Sequence, residues 1–291
     1  MPVPAGYQPG IGVVDTVSSR VDSPLVGIGV LGTLTIDGLG AGANRLGPRD
    51  RTVLAALVVA GDEPLSLDQL AEAVWGDEPP ASWRKVLHGC VARLRRALGA
   101  ETIETVATGY RLTIAADDID ARRFDRLVRR GREQLALGAA DRALFLIDEA
   151  LALWRGQALI DVVDWDPGRT VAGRLEASRL DAEELRVDAA LRAGRHLEIL
   201  AEAQARVDES PLRERRWAML ALAQYRSGRQ SEALASLRRV RTLLNAELGV
   251  DPGDELVALE RRSCGTSSRS AARGVTVGDV NTDSPASTAG R

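Results

Sequence analysis

Sixteen residues, Trp83 to Leu98, read WRKVLHGCVARLRRAL and hold five cations and no carboxylate. The cations are Arg84, Lys85, Arg93, Arg95 and Arg96. The whole chain has a formal charge of -3, so this is positive charge gathered against an acidic background. Such a cluster suits a polyanion. A guanidinium fork binds a phosphate or the guanine edge bidentately, and neutralising several phosphates gives salt-sensitive affinity. Lys85 is the only lysine, so a single arginine says little here and only clustering counts. A solvated cationic face on an interaction helix is the competing reading.

Other residue patterns offer less chemistry. GIGVLG at 27–32 matches G-x-G-x-x-G, but a dinucleotide site needs that motif to open a helix. Here TLTIDG follows and reads as another strand, so a tight β-turn accounts for the glycines. There is no Gly-Lys-Ser/Thr phosphate loop. His88 and His196 are the only histidines, and Cys90 and Cys264 lie far apart, which fits no metal spacing. Neither a metal nor a cofactor is expected, and the chain is not read as an enzyme. Asp117 with Asp118, and Glu183 with Glu184, are expected on helix starts or solvent faces, where they suit the helix dipole. The five tryptophans, at 75, 83, 154, 165 and 217, are read as core or interdomain anchors.

The elements around the basic segment give it a direction. Val26–Leu31 and Thr33–Ile36 are rich in β-formers and predict short strands. Pro48–Ala60 carries Val53, Leu54, Leu57 and Val58 at helical spacing. A second helix, Ser66–Trp75, opens with Ser66 and Gln69 in capping-box relation. After a break at Gly76–Pro80 the basic segment becomes a helix whose buried face is Leu87, Val91, Leu94 and Leu98, ended by Gly99. Ile103–Val106 and Tyr110–Ile114 then predict a hairpin. The second helix of such a pair can enter the major groove. Its outer side would present Arg84, Lys85, His88, Ala92, Arg95 and Arg96, with Arg93 at the edge. Thr108 and Arg111 on the hairpin would meet the flanking backbone or minor groove. The capped helix before the basic segment and the hairpin after it favour DNA over the solvated face.

From Asp117 the pattern is helix throughout. GRHLEILAEA at Gly194 and GRQSEALASL at Gly228 repeat at an offset of 34 residues, the tetratricopeptide period. Trp217, Leu220, Ala233 and Leu237 take that repeat's large and small positions, which predicts a small solenoid. Aromatics are 3% of the 291 residues, so the core must rest on Leu, Val and Ala, a helix-leaning set. The fold class is therefore mixed but mainly α: an N-terminal α+β winged helix-turn-helix followed by an all-α tetratricopeptide-like domain. The expected divisions are a flexible 1–24, a winged helix over 25–116, a helical domain over 117–263 and a disordered tail over 264–291. No signal peptide or run of 18 apolar residues is present, and two dispersed thiols fit a cytosolic protein.

These segments resemble a known family. LGPRDRTVLAALVVAGDEPLSLDQLAEAVWGDEPPASWRKVLHGCVARLRRALG with IETVATGYRL is similar to the OmpR/PhoB-type winged helix of SARP/AfsR-like transcriptional regulators. DIDARRFDRLV, ALALWRGQAL and the run from ESPLRERRW to ELGVDPGDEL resemble the bacterial transcriptional activation domain of the same family. The resemblance covers about residues 25–262 and implies a sequence-specific DNA-binding regulator, an activator. It implies binding to direct repeats in double-stranded promoter DNA, contact with RNA polymerase and a homodimer on DNA. A cytoplasmic location follows, nucleoid-associated when bound. Family DNA contacts carry over onto Arg84, Lys85, His88, Arg93, Arg95, Arg96, Thr108 and Arg111. Cys90 and Ala92 stand where relatives often have polar or basic residues, which implies a different base pattern. It also leaves open an interaction scaffold with a degenerate winged helix. The ATPase, forkhead-associated and receiver modules of larger members have no counterpart here, so no phosphoacceptor aspartate is implied.

Overall fold

The computed structural model describes residues 27–37 and 46–271, with side chains to residue 262. Val26, the lead-in at 1–24 and the end of the tail lie outside the described residues. The chain forms two compact units. Among the described residues, one holds 27–37, 46–120 and Leu159–Gly168; the other holds Ala121–Ala158 and 169–271.

In the first unit, strands β1 (Ile28–Gly29) and β2 (Thr35–Ile36) pair antiparallel, Ile28 opposite Ile36. Helix α1 (Pro48–Ala60) follows, with Pro48 at its first position and Asp50 in its first turn. The short strand β3 (Leu65–Ser66) leads into α2 (Leu67–Trp75) and α3 (Trp83–Leu98). Strands β4 (Ile103–Val106) and β5 (Gly109–Leu112) form the hairpin, and the sheet order is β3–β5–β4. The predicted capping box on α2 is present: the Gln69 amide donates to Ser66 Oγ (3.2 Å) and the Ser66 amide to Gln69 Oε1 (2.9 Å). Val53, Leu54, Leu57, Leu70, Leu87, Val91 and Leu94 meet in the core between the three helices. Strand β3 has only two residues, too short to show a period-2 pattern, and no reading of composition announces it. It fits because Gly109 opposes Ser66: a Cβ on Gly109 would fall 1.9 Å from the Leu65 carbonyl oxygen.

The glycine-rich turn after β1 is held by carboxylates of its own chain. Asp120 Oδ1 and Oδ2 accept from the Val30 and Leu31 amides at 2.7 and 3.1 Å, and Asp161 Oδ2 accepts from Leu34 at 2.8 Å. The Leu159 amide donates to the Val30 carbonyl at 2.8 Å, with Leu159 itself left-handed at φ 54. Backbone N–H groups that resemble a phosphate cradle in the sequence are thus given to Asp120 and Asp161. This also means that Leu159–Gly168, which follows two helices of the second half in sequence, builds part of the first unit.

The second unit holds α4 (Asp120–Ala136, from Ala121), α5 (Ala140–Leu151), α6 (Asp166–Arg192, from Arg169), α7 (Leu200–Glu209), α8 (Glu214–Arg226), α9 (Gln230–Leu248) and α10 (Asp254–Ala271). The 34-residue repeat corresponds to α6–α7 and α8–α9, turning at Gly194 and Gly228, and a similar turn at Gly138 joins α4 to α5. Trp217, Leu220, Ala233 and Leu237 are all buried, as the repeat predicts. Helix α10 runs to Ala271, past the expected end of ordered chain at 263.

Glu183 and Glu184 are a correction. Their expected place is a helix start or solvent face, yet they are 5% and 6% exposed in mid-α6. Buried carboxylates persist only with partners. Arg216 of α8, 2% exposed, reaches Glu183 Oε2 at 3.4 Å and Glu184 Oε1 at 3.5 Å, and Arg213 reaches Glu184 Oε1 at 2.9 Å. These partners come from α8 and the residue that precedes it, far from Glu183 and Glu184 in sequence.

Candidate nucleic-acid interface

Helix α3 sorts its side chains as the apolar spacing requires. Leu87, Val91, Leu94 and Leu98 are buried against the core. Arg84, Lys85, His88, Ala92, Arg93 and Arg96 are exposed. The N-terminus of α3 differs from that of α2. Ser82 makes no side-chain cap, and no acid lies in the first turn. The first amides of a helix lack intrahelical partners and carry partial positive charge. With Arg84 and Lys85 beside them, they favour an anion.

The eight predicted residues divide by what already holds them. Lys85 and Thr108 are exposed, and Thr108 sits in the β4–β5 turn. His88 is exposed at the edge of Tyr110, ring centroids 6.5 Å apart. Arg96 reaches only its own helix, from Nε to the Ala92 carbonyl at 3.3 Å. Arg84 stacks over Trp83 at 4.8 Å and approaches Asp68 at 4.0 Å, both groups well exposed. An ion pair that open is weak, so Arg84 remains available to a ligand.

Three others serve the fold. Arg93 grips the buried Asp50 of α1: Nε lies 3.0 Å from Oδ2 and Nη2 lies 2.8 Å from Oδ1. Burial opposes ionisation of Asp50, but hydrogen bonds from Arg93, Cys90 and the Gly47 amide, together with the Arg93 charge, outweigh it and hold its carboxyl below the ordinary range. The hydrogen bonds to Asp50 push the Arg93 guanidinium up. Arg95 donates from Nε and Nη2 to the Ile103 carbonyl (2.8 and 2.6 Å) and from Nη2 to Thr105 Oγ1 (2.8 Å), which fastens α3 to β4. Arg111 pairs across the hairpin with Glu104 at 2.6 Å, and that hydrogen bond raises its pKa.

Cys90 does not face solvent. It is 0% exposed, and burial, reinforced by nearby Asp50, pushes its thiol up to about 11. The expectation that Cys90 alters the readable surface is therefore corrected: of the pair, only Ala92 lies on the outer face. Spacing alone places position 90 beside Val91 and Leu94, so a fuller reading of the apolar stripe would have included it. Asp50 and Tyr110 are positioning residues that sequence reasoning missed. Asp50 fixes Arg93, while Tyr110 is flanked by His88 and by Arg95, whose guanidinium lies 5.7 Å from its ring. Among the described residues no group of three His, Cys, Asp or Glu could hold a metal ion, and no helix is long and apolar enough to cross a membrane.

The chain is similar to known transcriptional regulators. Residues 42–112 match the family model described as "Transcriptional regulatory protein, C terminal", and 119–262 match "Bacterial transcriptional activator domain". The chain is 36% identical over 255 residues to the transcriptional regulatory protein EmbR of Mycobacterium tuberculosis, covering 85% of this chain and 64% of EmbR. It is 34% identical over 245 residues to the regulatory protein DnrI of Streptomyces peucetius, covering 80% of this chain and 90% of DnrI. A solved structure of M. tuberculosis EmbR in complex with a low affinity phosphopeptide aligns with TM-score 0.74 and 33% identity, over 86% of this chain and 69% of that one.

Proposed function

The chain belongs to the SARP/AfsR-like family of transcriptional regulators, with an OmpR/PhoB-type winged helix and a bacterial transcriptional activation domain, and from that membership we propose that it is a sequence-specific, DNA-binding activator. The observation that carries the reading is the outer face of α3, where Lys85, His88 and Arg96 are exposed and Arg84 is only weakly engaged beside an uncapped helix N-terminus. In this reading Arg84 and Lys85 contact phosphates. His88 and Arg96 reach base edges, Thr108 meets the flanking backbone, and Arg93, Arg95 and Arg111 position the helix and hairpin. The protein acts in the cytoplasm, binds direct repeats in promoter DNA as a homodimer and contacts RNA polymerase. None of these steps needs catalysis.

The scaffold alternative loses half its motivation, since Cys90 is a core residue and Ala92 alone departs on the outer face. The test is a titration of promoter duplex and a shuffled duplex at two salt concentrations. Tighter binding to the promoter and a steep salt dependence are expected. Equal, salt-insensitive affinity for both would overturn the reading. A Lys85→Ala, Arg96→Ala double variant should lose promoter binding and transcriptional output together; retained output would favour the scaffold.

A further inference from the structure

The two units carry opposite charge. Among the described residues the winged unit holds 16 acidic and 8 basic side chains, a formal charge of -8. The helical unit, to residue 262, holds 25 basic and 21 acidic side chains, a formal charge of +4. A unit with a net negative charge of that size opposes the approach of a duplex away from its basic patches, and whole-protein potential governs polyanion encounter as much as local contacts do.

The positive excess is concentrated on α4, where six arginines face three carboxylates in DARRFDRLVRRGREQLA. The core side of this helix is Phe124, Leu127, Val128, Gly131 and Leu135. Arg129, Arg130 and Arg132 are exposed on the rest. Arg123 pairs with Glu149 at 2.5 Å, whereas none of these three has an ion-pair partner within 4.0 Å among the described residues. Asp125 and Glu133 lie on the same helix and moderate the charge without cancelling it. Arg126 with Arg130, and Arg129 with Arg132, stand four and three residues apart, spacings at which like charges destabilise a helix. Elsewhere in this unit several exposed arginines are answered by carboxylates, as at Arg195–Asp141 and Arg241–Glu260, while Arg142, Arg174 and Arg238, which have no such partner among the described residues, lie on separate helices.

We propose that the exposed arginine face of α4, carried by Arg129, Arg130 and Arg132, is a second duplex-DNA-binding surface that touches phosphates without reading sequence. It rests on the DNA-binding reading above and adds to it a surface on the helical unit. Clustered arginines on a helix face with no exposed aromatic among them, flanked by Asp125 and Glu133 alone, offer charge rather than base discrimination, so they strengthen operator and random duplex alike.

The test uses the full chain with Arg129→Ala, Arg130→Ala and Arg132→Ala combined. Alanine favours helix and removes the repulsion, so folding should hold; a lysine triple variant keeps the charge as a control. The slope of log affinity against log salt should become shallower by about 0.9 for each phosphate no longer neutralised, up to about 2.7 for three. Operator and random affinities should fall by the same factor, with their ratio unchanged and the lysine variant close to wild type. A slope and affinity equal to wild type would overturn the inference, meaning that the face is merely solvated or serves another partner. A fall confined to the operator would overturn its sequence-independent character. A wild-type protein with no salt-dependent DNA binding would instead overturn the functional reading itself.

Discussion

Arg93 and Arg96 lie three residues apart on one helix, yet substitution should separate them completely. Arg93→Ala strands the buried Asp50 carboxylate, and removing one partner of a buried charged pair costs about 2–3 kcal/mol, read by denaturant unfolding. Arg96→Ala touches nothing beyond its own helix, so stability should stay within about 0.5 kcal/mol while DNA affinity falls. Asp50 also predicts a pH dependence. Its folded pKa lies below the ordinary value, so its contribution is present above that ordinary value and disappears as pH falls through the folded one. The stability advantage of wild type over Asp50→Asn should therefore shrink as pH drops from about 6 to about 3; a constant gap would refute the assignment. That Arg84, Lys85 and Arg96 face outward was legible from the apolar stripe of α3, whereas Arg95, expected on that side, turns onto β4. Which of the cations are already occupied was not legible, because Asp50 and the Ile103 carbonyl approach from other elements.

At the scale of elements, the order of helices, the α2 capping box and the hairpin could all be read from period and capping chemistry. The strand β3 could not, since its pairing depends on Gly109 admitting the Leu65 carbonyl. Gly109→Ala should push β3 off β5 and lower stability by roughly 2–3 kcal/mol, with shifts in the amide spectra of both strands; an unperturbed variant would show that β3 contributes little. The buried group of Glu183, Glu184 and Arg216, joined by the half-buried Arg213, was likewise hidden, because two adjacent glutamates on a helix look solvated until an arginine from α8 is brought over them. Arg216→Ala should cost about 3 kcal/mol or more by leaving both carboxylates short of a partner, measured by thermal unfolding.

For the whole molecule, linear order in the sequence and membership of a compact unit diverge at one place. Residues 159–168 come after α4 and α5, yet Leu159 and Asp161 bond to the turn after β1. A winged-helix fragment ending at residue 116 lacks both Asp120 and Asp161, leaving the Val30, Leu31 and Leu34 amides without their acceptors. It should give poorly dispersed spectra and a broad melt where the full chain melts sharply; a well-folded 27–116 fragment would contradict this. No local pattern announces such a return, since Asp161 is one carboxylate among many. Leu159–Gly168 also bears on how regulators of this kind can be recombined. A chimera that exchanges only the residues before 117 sets one parent's glycine-rich ribbon against the other parent's returning loop. Swapped operator specificity should survive only when both pieces come from the same parent, so the heritable cassette here is discontinuous.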